Sequence, residues 1–398
     1  MYDKASLALI PSGTKASKLY SVLPANGDGD FNATRGSTAT RVNKDGLIET
    51  VATNVPRLDY PLTNGVVGDC PHLLLEPSRR NLATDSKLAL LTGGSSGSIS
   101  TTGDGASTDV TLSNGLTGKK ITVSSSGRSY LNITCTVVSG TEYTVSIFVE
   151  NYLGASQSNF IDILSGGGGE DFSSDLISNG RIQGTFTATS TSVTIRVGHG
   201  TTSTRTGFFS ANISGIQLED GGSGIDATYA TSLIHTTGII ETRSADECNS
   251  SGTSAEFNDS EGVLFAEVEF LDNANTGYIS VSDGTPDNRC IIYSAANQIV
   301  VATKSGGSGI SKSATGTPTN LNKIAVAYSS SGSKFFLNGS NETGTGSFST
   351  TPRVFAANTL DQINLDISDG SNDLYARVKQ VIYFNEALSD SELQTLTS

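Results

Sequence analysis

Apolar side chains recur at every second residue along much of this chain. In EYTVSIFVE (residues 142–150), Tyr143, Val145, Ile147 and Val149 share one side and mostly polar residues take the other. TSVTIRVGH (191–199) repeats the pattern with Val193, Ile195 and Val197. A period of two marks a strand with one buried face, and clean alternation is the habit of antiparallel sheets. LFAEVEFLD (264–272) turns Leu264, Ala266, Val268 and Phe270 inward. KIAVAYSSSGSKFFLNG (323–339) reads as a hairpin, with Ile324, Val326 and Tyr328 before a Ser/Gly turn and Phe335 and Leu337 after it. LYARVKQVIYF (374–384) puts Leu374, Ala376, Val378, Ile382 and Phe384 on one face, with Gln380 breaking the pattern.

One segment reads as helix. In ALSDSELQTLTS (387–398), Ser389 and Glu392 have the S-x-x-E spacing of a capping box, and Leu388 and Leu393 stand where a hydrophobic staple would close. A helix of one or two turns is expected there, packed on the edge of a sandwich.

Composition agrees. The chain has 398 residues with 44 Gly, 9 Pro and 16% charged residues, too few strong helix formers for long helices. Pro11, Pro24, Pro56, Pro61, Pro71 and Pro77 crowd the front. Repeated Pro breaks ladders and helices, so short strands and extended arms are expected there, stabilised against neighbouring subunits. The expected architecture is mainly β: an extended N-terminal module (1–86), two antiparallel β-sandwich (jelly-roll) domains at 87–222 and 249–398, a linker at 223–248 between them, and a short C-terminal helix. SGGGGE (165–170) reads as a flexible turn.

A net charge of −14 argues against nucleic acid as a partner, since phosphate binding needs a basic face. No run approaches the apolar length of a membrane span, and the front lacks the apolar core of a signal peptide. The expectation is cytoplasmic synthesis without export. Cys70, Cys135, Cys248 and Cys290 are far apart and read as buried free thiols, not a disulfide framework or zinc site.

Candidate chemistry is sparse. GGSSG (93–97) has the letters of a nucleophile elbow, but its neighbours are Ser and Gly, without the strand and helix that motif requires. His72, His199 and His235 have no metal-ligand spacing. The segment RGSTATRVNKDGLIETVATNVPRLDY (35–60) is different, because its Arg residues lie close to acids. Arg35, Arg41 and Arg57 suit fixed bidentate pairs with carboxylates such as Glu49, Asp59 and Glu76, within or between subunits. Ordinary surface Arg is the plain alternative.

This segment, continued by CPHLLLEPSRRNLATDS (70–86), resembles the N-terminal segment of bacteriophage virion proteins of the tail-fibre, tail-protein and head-fibre kind. The shared order is R-x-S-T-A-T-R-V-N, G-L-I-E-x-V, P-R-x-D-Y, L-L-x-E-P and R-x-N-L, kept here from Arg35 through Leu82. ISGIQLEDG (213–221) with YATSLIHTTG (229–238) resembles the junction after a carbohydrate-binding-like sandwich in the same proteins. The C-terminal region is similar to concanavalin A-like or laminin G-like jelly rolls. The resemblance implies a structural virion protein, a short tail fibre or spike displaying sandwich domains for adhesion to bacterial surface glycans. It implies assembly in the host cytoplasm, release by lysis, other tail or capsid proteins as partners, an attachment or oligomerisation role for residues 1–86 with Arg35, Arg41, Arg57, Glu49, Asp59 and Glu76 as its assembly residues, and a homo-oligomer, a trimer by analogy with phage fibres or else a dimer. A head fibre or capsid decoration protein without a receptor is the alternative. A polysaccharide depolymerase is a third reading, and no enzyme activity is expected. Trp is absent, so Tyr would have to stack sugars, and Tyr278 and Tyr293 are the candidate contacts. Acidic rim loops of laminin G-like folds hold calcium in some cases, which makes Asp283, Asp287, Asp369 and Asp373 candidate Ca2+ ligands, although Asp, Gly and Asn are also ordinary turn residues.

Overall fold

The computed structural model describes residues 2–63, 66–88, 99–103, 106–123, 129–154, 161–169, 172, 180–199, 209–222, 224, 226–273 and 277–398. It is mainly β, with antiparallel sheets and a short C-terminal helix. The GGSSG motif and Glu170 of the glycine-rich turn lie outside the described residues, as does the side chain of His199. No described helix is long and apolar enough to cross a membrane.

The C-terminal sandwich forms around strand Gly262–Phe270, which pairs with Asn322–Ser329 on one side and Ala376–Phe384 on the other. The hairpin closes as its sequence predicts, with Ile324 opposite Leu337 and Val326 opposite Phe335. A second sheet runs in the order Ser308–Thr315, Gln298–Ser305, Arg289–Ala295, Tyr278–Ser282 and Gln362–Asn364. Between the sheets Leu264, Ala266, Val268 and Phe270 pack with Ile279, Val281, Cys290 and Ile292.

Strand Ala376–Phe384 departs from its predicted pattern. Gln380 faces Glu267 and Val378 faces Val268, so Lys379 is an extra residue in the ladder. This bulge exchanges the two faces beyond it. Val381 and Tyr383 therefore join the core between the sheets. Ile382 and Phe384, predicted to share a face with Val378, point the other way and pack with Phe265, Phe336, Leu388 and Leu393. That outer cluster is covered by helix Asp390–Thr397, whose capping box is closed in both directions by Ser389 and Glu392. Burying a leucine such as Leu393 contributes about 1.5–3 kcal/mol.

The middle sandwich packs a four-stranded sheet (Ile99–Gly103, Ser129–Thr136, Ser192–His199 and Ile161–Ser165) against a larger one built on Phe209–Asp220 and Glu142–Gly154. Tyr143, Val145, Ile147 and Val149 meet Val193, Ile195 and Val197 in its core, on the faces predicted for them.

The first 86 residues find their packing within the chain instead of reaching out as arms. Strands Leu7–Leu9 and His72–Leu75 pair with Ala376–Phe384, and Arg57–Asp59 continues that sheet. Arg79–Asn81 joins Phe209–Asp220 in the middle sandwich. The segment expected as a linker also supplies strands: Glu241–Arg243 pairs with Arg79–Asn81, and Glu247–Asn249 pairs with Phe31–Thr34. Cys135, Cys248 and Cys290 are buried as expected, but Cys70 is exposed, next to Pro71 in a bend ahead of strand His72–Leu75.

Candidate functional site

The chain passes between the sandwiches at two points, and each crossing carries a carboxylate. Glu76 lies between His72–Leu75 of the C-terminal sandwich and Arg79–Asn81 of the middle one. Asp246 lies between Glu241–Arg243 of the middle sandwich and Glu247–Asn249. The crossings are bonded directly, with the Asp246 amide donating to the Glu76 carbonyl at 3.0 Å and the Glu76 amide to Asp246 Oδ2 at 3.0 Å.

Three arginines complete the clasp. Arg57 Nη1 donates to Glu76 Oε2 at 2.6 Å, to Ser232 Oγ at 2.7 Å and to the Thr40 carbonyl at 3.0 Å. Its Nε and Nη2 both engage Asp246. Arg35 Nη1 reaches Asp246 Oδ1 at 2.9 Å, and its remaining donors meet the carbonyls of Ser37 and Ala52. Arg243 pairs with Glu76 at 2.9 Å and donates to Thr231 Oγ1 and the Pro77 carbonyl. Ser232 donates its amide and hydroxyl to the two Glu76 oxygens at 2.7 and 2.6 Å. Arg57 is 0%, Arg243 1%, Glu76 2% and Asp246 4% exposed. Such burial costs several kcal/mol per ion, which only full pairing offsets. Burial pushes the Glu76 carboxyl up. The charges of Arg243 and Arg57 and the hydrogen bonds from Ser232 and Arg57 outweigh that, and hold it well below the usual carboxylate range.

Arg35, Arg57 and Glu76, singled out in the sequence as assembly residues, thus meet inside one subunit. The remaining candidates in that set lie elsewhere. Arg41 pairs with Glu49 at 2.7 Å on the hairpin Ala39–Val42/Ile48–Val51, where both are partly open to solvent. Asp59 accepts from the Val42 amide at 2.8 Å and lies 3.8 Å from Arg377. Asp246, Arg243 and Ser232 were missed. They follow Arg57 by 189, 186 and 175 positions, and no local pattern announces such a pairing.

Three of the four candidate calcium ligands have protein partners, two in turns and one in an ion pair. Asp283 Oδ1 accepts from the amide and hydroxyl of Thr285. Asp369 Oδ1 accepts from the hydroxyl of Ser371. Asp287 pairs with Lys304 at 3.2 Å. Among the described residues no group of three or more His, Cys, Asp or Glu is placed to hold a metal ion. Asp373 is pushed up to about 6, by burial first and then by the charges of Glu247 and Asp366. An acid raised in the folded chain gives stability that is lost as pH rises through that value. Asp373→Asn is therefore expected to raise the thermal midpoint at about pH 7 and leave it unchanged at about pH 3, below the ordinary aspartate value of 3.8, which two melting curves would check. A gain at both would exclude relief of the carboxylate as the cause.

Tyr278 and Tyr293 lie opposite each other on neighbouring strands and stack, with ring centroids 4.8 Å apart and planes 23° apart. Both rings are half-buried and stand on the face of the five-stranded sheet that points away from the core.

No family model matches the chain, and no curated protein does. Solved structures give loose superpositions. The carbohydrate-binding module CBM40 of the Ruminococcus gnavus IT-sialidase, solved with α2,3-sialyllactose, is 13% identical with a TM-score of 0.31, over 38% of this chain and 94% of that one. Domains LG4-5 of the mouse laminin α1 chain are 9% identical with a TM-score of 0.24, over 65% and 87%. The binding domain of botulinum neurotoxin serotype G is 12% identical with a TM-score of 0.27, over 38% and 39%. The fold of this chain accordingly stands on its own strand pairing.

Proposed function

We propose that this chain is a structural display protein of a bacteriophage particle, a short tail fibre or spike whose paired sandwiches form one stiff body for adhesion to host-surface glycans. The observation that carries the reading is where the phage-like sequence block goes. Arg35, Arg57, Glu76 and Arg79 of that block lie at the junction of the two sandwiches, and three of them are clasp residues. A clasp of this kind contributes stiffness and a defined angle between two domains, which a displayed adhesin needs and a loose linker does not supply. The stacked tyrosines on an outward sheet face suit the adhesive part of the reading.

The test is electron cryomicroscopy of the intact particle, with this chain located and its copies counted. Copies at the tail or baseplate, with a sandwich pointing outward, are expected. Copies spread over the capsid shell would replace host adhesion by decoration. Absence from purified particles would overturn the virion reading.

A further inference from the structure

We propose that the outward face of the five-stranded sheet binds one ring of an uncharged glycan, a hexose or N-acetylhexosamine unit, in a trough bordered by Arg289 and Lys304, one row from the Tyr278–Tyr293 stack. The proposal rests on the adhesion reading above and names its site and ligand class.

The strand register lays this face out in rows. Tyr278, Tyr293, Val300 and Ser313 form one row, Ser280, Ile291, Ala302 and Ser311 the next, and Ser282, Arg289, Lys304 and Gly309 the third. The alternate residues Ile279, Val281, Ile292 and Val301 fill the core, so these rows face away from it. Side chains shrink toward the edge strand. Ala302, Gly309 and Ser311 leave a depression of about 180 Å³ with Ile291 at its side. That is smaller than a drug-sized pocket and suits a single sugar ring. Long hydrogen-bond donors, Arg289 and Lys304, border the depression, and the Tyr278–Tyr293 stack stands in the adjoining row beside Ile291, an apolar surface with polar tips.

Charge decides the ligand class. Lys304 is paired with Asp287 at 3.2 Å. Arg289 donates to the Ile367 carbonyl at 3.0 Å and lies near Asp369, whose carboxyl is held low by the Ser371 hydroxyl and to a lesser degree by Arg289. Each cation therefore has an acidic neighbour, and the trough offers donors without a net positive field. The chain as a whole carries −14, which repels polyanions. A one-ring site is weak by itself, and repeated copies on a particle would make it effective.

The experiment uses the full chain on an array of neutral hexose and N-acetylhexosamine oligosaccharides beside sialylated and uronate-bearing ones. The best neutral ligand is then titrated calorimetrically at low and high salt against the parent, Tyr293→Ala and Ser311→Ile. Ser311 is exposed on the edge strand, so isoleucine fills the trough without entering the core, and melting curves confirm that both variants fold. Neutral binding that falls about tenfold or more in both variants, about 1.4 kcal/mol, and does not change with salt is expected. Neutral binding retained by both variants would overturn this site while leaving glycan adhesion standing. Preference for anionic glycans, weakening with salt, would overturn the ligand class. No binding to any glycan would overturn the site, and the display reading would still be decided separately by location in the particle.

Discussion

Arg57→Met is expected to destabilise the chain by about 3–5 kcal/mol, the cost typical of removing one partner from a buried ion pair. Methionine keeps most of the apolar volume but leaves Asp246 with only Arg35 and the Glu76 amide, and Glu76 with Arg243 and Ser232. Two carboxylates with no water to turn to then lose their shared partner. Because the clasp joins the two crossings, the loss should also uncouple the sandwiches. Chemical denaturation would show a lower midpoint, and a single transition in the parent would become two in the variant. Arg41→Ala serves as the contrast, since its partner Glu49 keeps solvent access and a surface pair contributes about 0–1 kcal/mol. Equal effects of the two substitutions would refute the view that burial and shared pairing set the cost.

Much of this fold was legible because period two survives wherever one face is buried. The four clearest strands put every predicted apolar residue into a core, and the capping box at Ser389 fixed the helix start. Alternation failed at Lys379, since a bulge adds one residue without changing any letter on either side of it. Gln380 did mark the place, as a polar residue on an apolar face, but a polar break reads equally as a tolerated exception. The N-terminal arms were misjudged for a related reason. Proline and short apolar runs predict short strands correctly, but whether such strands pair within the chain or with a neighbour depends on contacts far away in sequence, such as Leu73 with Val378.

The candidate site divides in the same way. Arg35, Arg57 and Glu76 could be picked out because arginine near carboxylates is conspicuous in a chain with few charges. Their meeting point could not, since Asp246 and Arg243 reach it only when both sandwiches have folded. The stacked tyrosines were found by type, but the trough beside them is formed by what Ala302, Gly309 and Ser311 lack, and small residues carry no positive signal in a sequence already rich in Gly and Ser.

The clasp should also show itself in acid. Glu76 is fully buried, and its carboxyl is held far below the ordinary glutamate value of 4.5. A carboxyl lowered in the folded chain binds fewer protons there than in the unfolded chain. The stability it contributes is whole above the unfolded value and is lost as pH falls toward the folded one. Wild-type stability is therefore expected to drop steeply below about pH 4.5, whereas Glu76→Gln, which cannot titrate, should start about 3–5 kcal/mol lower at neutral pH and fall less. The amide keeps a hydrogen-bond acceptor for Ser232 but gives no charge to Arg57 and Arg243. Asp59 acts in the opposite sense. Burial raises its carboxyl despite the Val42 amide and the nearby arginines, and the charge of Glu76 adds to the rise, so protonation relieves it and softens the acid loss somewhat more in the parent than in the variant. The difference between the two curves reports the charge of Glu76, its effect on Asp59 included. Urea midpoints across the acid range would show that difference closing below pH 4.5 if the charge sustains the clasp. A gap that stays constant at every pH would mean that shape alone was lost, and that the arginines hold the junction without the charge of Glu76.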